Sequence, residues 1–197
     1  ASSHGLYTSF VLELLPLLAS SDGMLKYMQT TGTLKLLVQR AMQDAHSATN
    51  SASTRSLALE LLAQLWMLFA KEMQSPLDGE GGDDVGSKDT ATRILSELKR
   101  GCRDADFEVQ LTAHMALFRL LDHFASATHP AAPVLFKGLA FSLIENHHDP
   151  VMRQFLARNM QHTLQHQPYI PVGVLLKPLV KQATLYGYNN CDFDFFL

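Results

Sequence analysis

Along most of the chain, apolar residues recur three and four positions apart, and almost no segment alternates apolar with polar residues. The first spacing lines large side chains along one face of a helix, whereas strict alternation would mark strands. The pattern predicts an all-α protein. Helices are expected at Leu6–Ala19, Gly23–Thr30, Thr33–Ala45, Thr54–Gln74 and Thr90–Gly101. Others are expected at Asp106–Ala127, Ala131–Asn146, Pro150–His166 and Ile170–Tyr186. Ser53 or Thr54 is placed to cap the fourth helix, and Asp104 or Asp106 the sixth. Asp149 followed by Pro150 reads as an N-cap with proline at the first helical position, where the missing N–H costs nothing. Gly32, Gly101 and Gly187 stand at expected helix ends, where left-handed backbone is often required. Pro16, Pro133, Pro171 and Pro178 mark first turns or kinks, with Pro178 expected to bend its helix.

Two stretches interrupt this rhythm. Ser75 to Ser87 carries four acids and four glycines with almost no apolar side chains, too little to offset its ordering entropy. A mobile surface loop is expected over residues 75–88. A shorter polar linker runs from His46 to Ser53. The helical pattern resumes beyond both, so residues 1–197 read as a single domain.

The helix at Thr54–Gln74 carries Leu57, Leu59, Leu61, Leu62, Leu65, Trp66, Leu68 and Phe69, more apolar surface than one facing helix covers. Each such side chain gains roughly 1.5 to 3 kcal/mol when fully buried. Neighbours on both sides are therefore expected. A repeat supplies them. Asp106, Asp149 and Asp192 stand 43 residues apart, each followed three positions later by a large apolar residue: Val109, Met152 and Phe195. Gln110, Arg153 and Phe196 come next, and then a small or apolar residue at Ala113 and at Leu156-Ala157. Thr54-Arg55-Ser56-Leu57-Ala58 aligns with Val109 to Ala113 and with Met152 to Leu156 if the acidic loop is an insertion. The repeat predicts stacked helical pairs, with a closed bundle as the structural alternative.

These residues resemble the second helix of a HEAT repeat, whose pattern runs Asp, spacer, Val-Arg, spacer, Ala and then Leu. The stretch Tyr27 to Val38, with a glycine before a Leu-x-x-Leu-Val helix, resembles an armadillo repeat. The resemblance implies an α-α superhelix, a HEAT/armadillo-like solenoid of about four hairpins. It also implies an Asp–Arg ladder drawn from Arg55, Asp106, Gln110, Asp149, Arg153 and Asp192, incomplete because Gln110 and Phe196 stand where arginine is expected. Nine residues beyond Arg55, Gln110 and Arg153 stand Gln64, Arg119 and His162, flanked by Arg158 and Gln161. In register these line one surface of adjacent second helices. The resemblance makes that the concave, partner-receiving surface, although a solvated face without a ligand fits each residue as well.

Composition narrows the function. The chain is 47% apolar and 18% charged, with a net charge of −3, so it lacks the dominant basic balance of nucleic-acid modules. Cys102 and Cys191 are isolated, which excludes a disulfide framework and a CxxC zinc pair and suits a reduced, cytoplasmic protein. No apolar run approaches the ~18 to 20 residues that span a bilayer. The first residues lack a secretory signal, and both ends read as cut from something longer, with neighbouring repeats beyond them. His162 and His166 share a helical face at metal-chelating spacing, but the His-Thr-Leu-Gln-His run lacks the glutamate of HExxH. Solvated histidines at a helix end account for them without a metal. Lys99, Arg100 and Arg103 read as dipole compensation, and Gly79-Glu-Gly-Gly as a flexible acidic loop. No nucleophile or phosphate motif is present. The expectation is a protein-interaction scaffold for a protein or peptide partner, not an enzyme, with no cofactor or metal. The alternative is a packing module of a cytoskeletal, ciliary or transport assembly.

Overall fold

A computed structural model describes residues 11, 13, 14, 22–70, 89–126, 131–146 and 149–166. The ordered elements are all helices: α1 Asp22–Thr30, α2 Thr33–His46, α3 Ala52–Leu68, α4 Thr90–Gly101, α5 Phe107–Ser126, α6 Ala131–Glu145 and α7 Pro150–His166. Among the described residues there is no strand. Most of the expected Leu6–Ala19 helix lies outside the described residues. So do the Ile170–Tyr186 helix, the acidic loop over 75–88, Pro16, Pro171, Pro178, Gly187, Cys191, His147, His148, Asp192, Phe195 and Phe196. The chain divides into two compact units, Ala1–Ala116 and Leu117–Leu197, the division falling inside α5.

In the first unit, α1 turns into α2 through Thr31 and Gly32. Gly32 takes the left-handed backbone (φ 71°) and its carbonyl accepts from the Leu36 N–H at 3.2 Å. Helix α2 packs most extensively against α3, and α4 packs against both. Helix α3 is enclosed nearly all round, as its excess of leucine predicts. Leu59, Leu61, Leu62, Leu65 and Trp66 are buried, and so are the small residues Ala58 and Ala63 between them. It begins two residues earlier than expected. Ser51, not Ser53 or Thr54, caps it, because the Ser51 Oγ sits 3.2 Å from the Thr54 N–H. Its helical hydrogen bonding gives way to a turn at Phe69 and Ala70. Asp89 caps α4 in the same way, its Oδ1 accepting from Thr92 N at 2.7 Å.

Gly101 ends α4 as expected, but without left-handed backbone, and its smallness serves close packing. A Cβ built there would stand 2.6 Å from Leu59 Cδ1 and 3.0 Å from Ala113 Cβ. Leu59 is fully buried, and the Ala113 methyl is fixed to its own helix. Gly101→Ala is expected to destabilise by about 1 to 3 kcal/mol through overpacking, despite alanine's better helix propensity. Ala113→Gly in the same chain should recover part of the loss in urea unfolding.

In the second unit, α6 packs on α7 around Leu135, Phe136, Leu139, Met152, Leu156 and Met160. Pro133 sits in the first turn of α6, where proline is tolerated. Contacts between the second half of α5 and α7 include two side-chain pairs. The Phe118 and Phe155 rings pack edge to face at 6.1 Å, and Thr163 Oγ1 donates to Asp122 Oδ1 at 3.4 Å. The two contacts advance in the same direction along both helices.

The helix starts share a register. Ser51 O accepts from Arg55 N at 3.1 Å, Asp106 O from Gln110 N at 3.1 Å and Asp149 O from Arg153 N at 2.9 Å. The residue pairs aligned on sequence thus occupy the same positions at the starts of α3, α5 and α7.

Candidate functional site

The most constrained polar cluster in the first unit is built on Arg55. One turn into α3, its side chain reaches the turn between α4 and α5. Nε donates to Asp104 Oδ2 at 3.1 Å and Nη2 to Asp104 Oδ1 at 2.8 Å, a two-pronged pairing. Nη2 also donates to Asp106 Oδ2, and Nη1 to the Asn50 carbonyl at 2.6 Å. All three guanidinium nitrogens are thereby committed. The arginine side chain is buried, with 8% exposed, that of Asp104 keeps 11% and that of Asp106 54%.

Further bonds hold the partners. Asp104 Oδ1 accepts from Asp106 N at 3.0 Å, and the Asp104 carbonyl accepts from Gln110 Nε2 at 2.6 Å. Asn50 Nδ2 donates to the Asp44 carbonyl at 2.9 Å, which ties the end of α2 into the cluster. Donation to the Asp104 carboxylate raises the Arg55 pKa above its ordinary value. At Asp104, burial pushes the carboxyl up. The Arg55 hydrogen bonds, the Asp106 N–H and the nearby charges of Arg55 and Arg100 outweigh it and hold the carboxyl below its usual value.

Of the sequence-selected ladder residues, the structure brings Arg55, Asp106 and Gln110 together. In the second unit Asp149 caps α7, as its place before Pro150 predicts, its Oδ1 accepting from Val151 N at 2.9 Å and Met152 N at 3.1 Å. In the sequence Asp104 is legible only as a possible cap, and Asn50 carries no signal of its role. The signal for Asp104 is a second acid two positions before Asp106 in a short turn. The cluster stitches α3 to the loops on either side, and with its donors committed it is a structural element.

Beside it, Ser56 is buried, and its Oγ has no hydrogen-bond partner among the described residues. Ser56→Ala is expected to leave stability unchanged or raise it by up to about 1 kcal/mol, since a desolvated hydroxyl is removed. Thermal unfolding would show a loss if that hydroxyl were needed.

Between α2 and α4 lies a groove of about 500 Å³ lined by Met42, Gln43, His46, Arg93, Ser96 and Glu97. Glu97 lies 3.6 Å from His46 Nδ1 and 2.8 Å from Arg100 Nη2. Arg100 in turn donates to the Ala45 carbonyl at 2.5 Å, satisfying a carbonyl in the last turn of α2. The Ser47 hydroxyl, at the groove's edge, shares a 2.8 Å hydrogen bond with Thr49 Oγ1. The groove offers a mixed-charge rim.

The expected docking stripe falls in two parts. Gln64 is half-buried on α3 in the first unit. In the second unit, Arg119 on α5 and Arg158, Gln161 and His162 on α7 are all exposed. Gln154, Arg158, Gln161 and Gln165 form a single exposed line at helical spacing, and α7 contains no aspartate or glutamate. His162 and His166 stack at its end, with ring centroids 4.2 Å apart.

Among the described residues no group of three or more His, Cys, Asp or Glu side chains is placed to hold a metal ion. No described helix is long and apolar enough to cross a membrane. No family model, curated protein or solved structure matches this chain.

Proposed function

We propose that this chain is a protein-interaction scaffold, a HEAT/armadillo-like stack of helical pairs that offers one polar helix face to a protein or peptide. The observation that carries the reading is the exposed line Gln154, Arg158, Gln161 and Gln165 on α7, free of carboxylates. Amide side chains both donate and accept hydrogen bonds, and the arginine adds a planar cationic fork, so the line suits a polypeptide with acidic side chains. The common register at the starts of α3, α5 and α7 supports the stack, as does the two-sided burial of α3. The proposed setting is the cytoplasm.

The test is binding by the intact chain, with partners captured from a cell extract and then titrated singly. Arg158→Glu combined with Gln161→Ala is expected to weaken the captured partner by about tenfold or more. Undiminished binding by a folded double variant would remove α7 as the docking face.

A second reading, a packing module inside a large assembly, is favoured by a different feature. Tyr27 and Leu36 in the first unit are 60% and 65% exposed, and Val134 and Val151 in the second are 49% and 63% exposed. Side chains of that kind suit coverage by further helices. Leu36→Ser and Val151→Ser would release the chain from such an assembly while leaving peptide capture by the α7 line intact.

A further inference from the structure

We propose that His162 and His166 form a two-imidazole chelate for a divalent transition-metal ion, Cu(II) above Ni(II) and Zn(II), at the end of α7. The inference stands apart from the scaffold reading and needs neither a groove nor a partner.

The two histidines are one helical turn apart and both exposed. Their rings already lie together, with centroids 4.2 Å apart and planes 25° from parallel. Side chains at this spacing occupy one face of a helix, so a small rotation of either ring turns both toward a common ion. His166 is further prepared. Its Nδ1 lies 2.8 Å from the His162 carbonyl oxygen, which can only accept, so the N–H resides on Nδ1. Nε2 then presents its lone pair to solvent, and the backbone fixes tautomer and ring orientation as an outer partner does in metal sites.

The surroundings select the ion. The site lies in the last turn of α7, where the helix dipole favours positive charge. Helix α7 supplies no carboxylate, so hard, oxygen-seeking ions such as Mg(II) and Ca(II) find no ligand on it. Neutral imidazoles suit Cu(II), Ni(II) and Zn(II), with Cu(II) highest in the general affinity order. Two nitrogens at ~2.0–2.1 Å leave the remaining coordination positions to water.

Titration of the full chain with CuCl2, followed by calorimetry and by electron paramagnetic resonance, tests the chelate. One site with nitrogen ligation is expected, tighter than for ZnCl2, and MgCl2 should give no binding. His162→Ala and His166→Ala should each weaken that site at least tenfold while helical circular dichroism is unchanged. Arg158→His added to His166→Ala rebuilds an exposed pair one turn earlier, with His162, and should restore Cu(II) binding. Parent-like affinity in the single variants would overturn the proposal, as would failure of the rebuilt pair to recover a folded chain's binding.

Discussion

Arg55→Met lowers the stability of the first unit by about 3 kcal/mol, the scale for removing one member of a buried ion pair. The methionine fills much of the same space but leaves Asp104 largely buried with its negative charge uncompensated, and leaves the Asn50 carbonyl without its donor. Arg55→Lys retains charge but lacks the fork that meets both Asp104 oxygens, so it should recover only part of the difference. Urea unfolding followed by circular dichroism measures both. Replacing Asp104 with leucine in the Arg55→Met chain removes the stranded carboxylate. That double variant should be more stable than Arg55→Met alone, the opposite of what independent losses would give.

The pH dependence carries a sign. Asp104 titrates below its ordinary value in the folded chain, so the unfolded chain takes up that proton first as acid is added. The contribution of the pair is fully present above the ordinary aspartate value of about 3.9. It is lost as pH falls through the lower folded value. In Arg55→Met both Arg55 influences are gone while burial stays, so the folded Asp104 carboxyl moves up and the loss of stability in acid from this group shrinks. A pH series of urea midpoints reads the difference between the two chains. Parallel curves through this range would show that Arg55 does not hold the Asp104 carboxyl down.

Leu62→Ala is expected to cost about 2 to 5 kcal/mol, the range for emptying a fully enclosed leucine site. Leu62 has no exposed surface, and its neighbours Ala58, Leu59, Leu65 and Trp66 are themselves buried, so little can move in to fill the space. Leu57 and Leu68 lie on the same helix but are only half-buried, and alanine at either should cost distinctly less. Thermal or urea unfolding of the three variants ranks them. Equal losses would mean that α3 is not gripped from all sides.

The ordering of Leu62 over Leu57 shows where sequence pattern stops. Spacing marks α3 as too apolar for one neighbour, but every leucine in it looks alike until the packed helices surround some and leave others at an edge. Gly101 shows the same limit. As a letter it reads as a helix end, and only the approach of Leu59 and Ala113 reveals a residue kept small by its surroundings.

The sequence by itself determined the helical class, the positions of most described helices and the register linking Arg55, Gln110 and Arg153. These follow from local periodicity, capping chemistry and spacing, which act within a few turns of one segment. Capping chemistry likewise placed Asp149 at the start of α7, whereas tertiary structure decided that Arg55 meets Asp104 as well as Asp106 and that the polar line on α7 stays in solvent. A hydrogen bond spanning 49 residues depends on where two loops arrive in space. That is set by the packing of the helices between them, and no local rule encodes it.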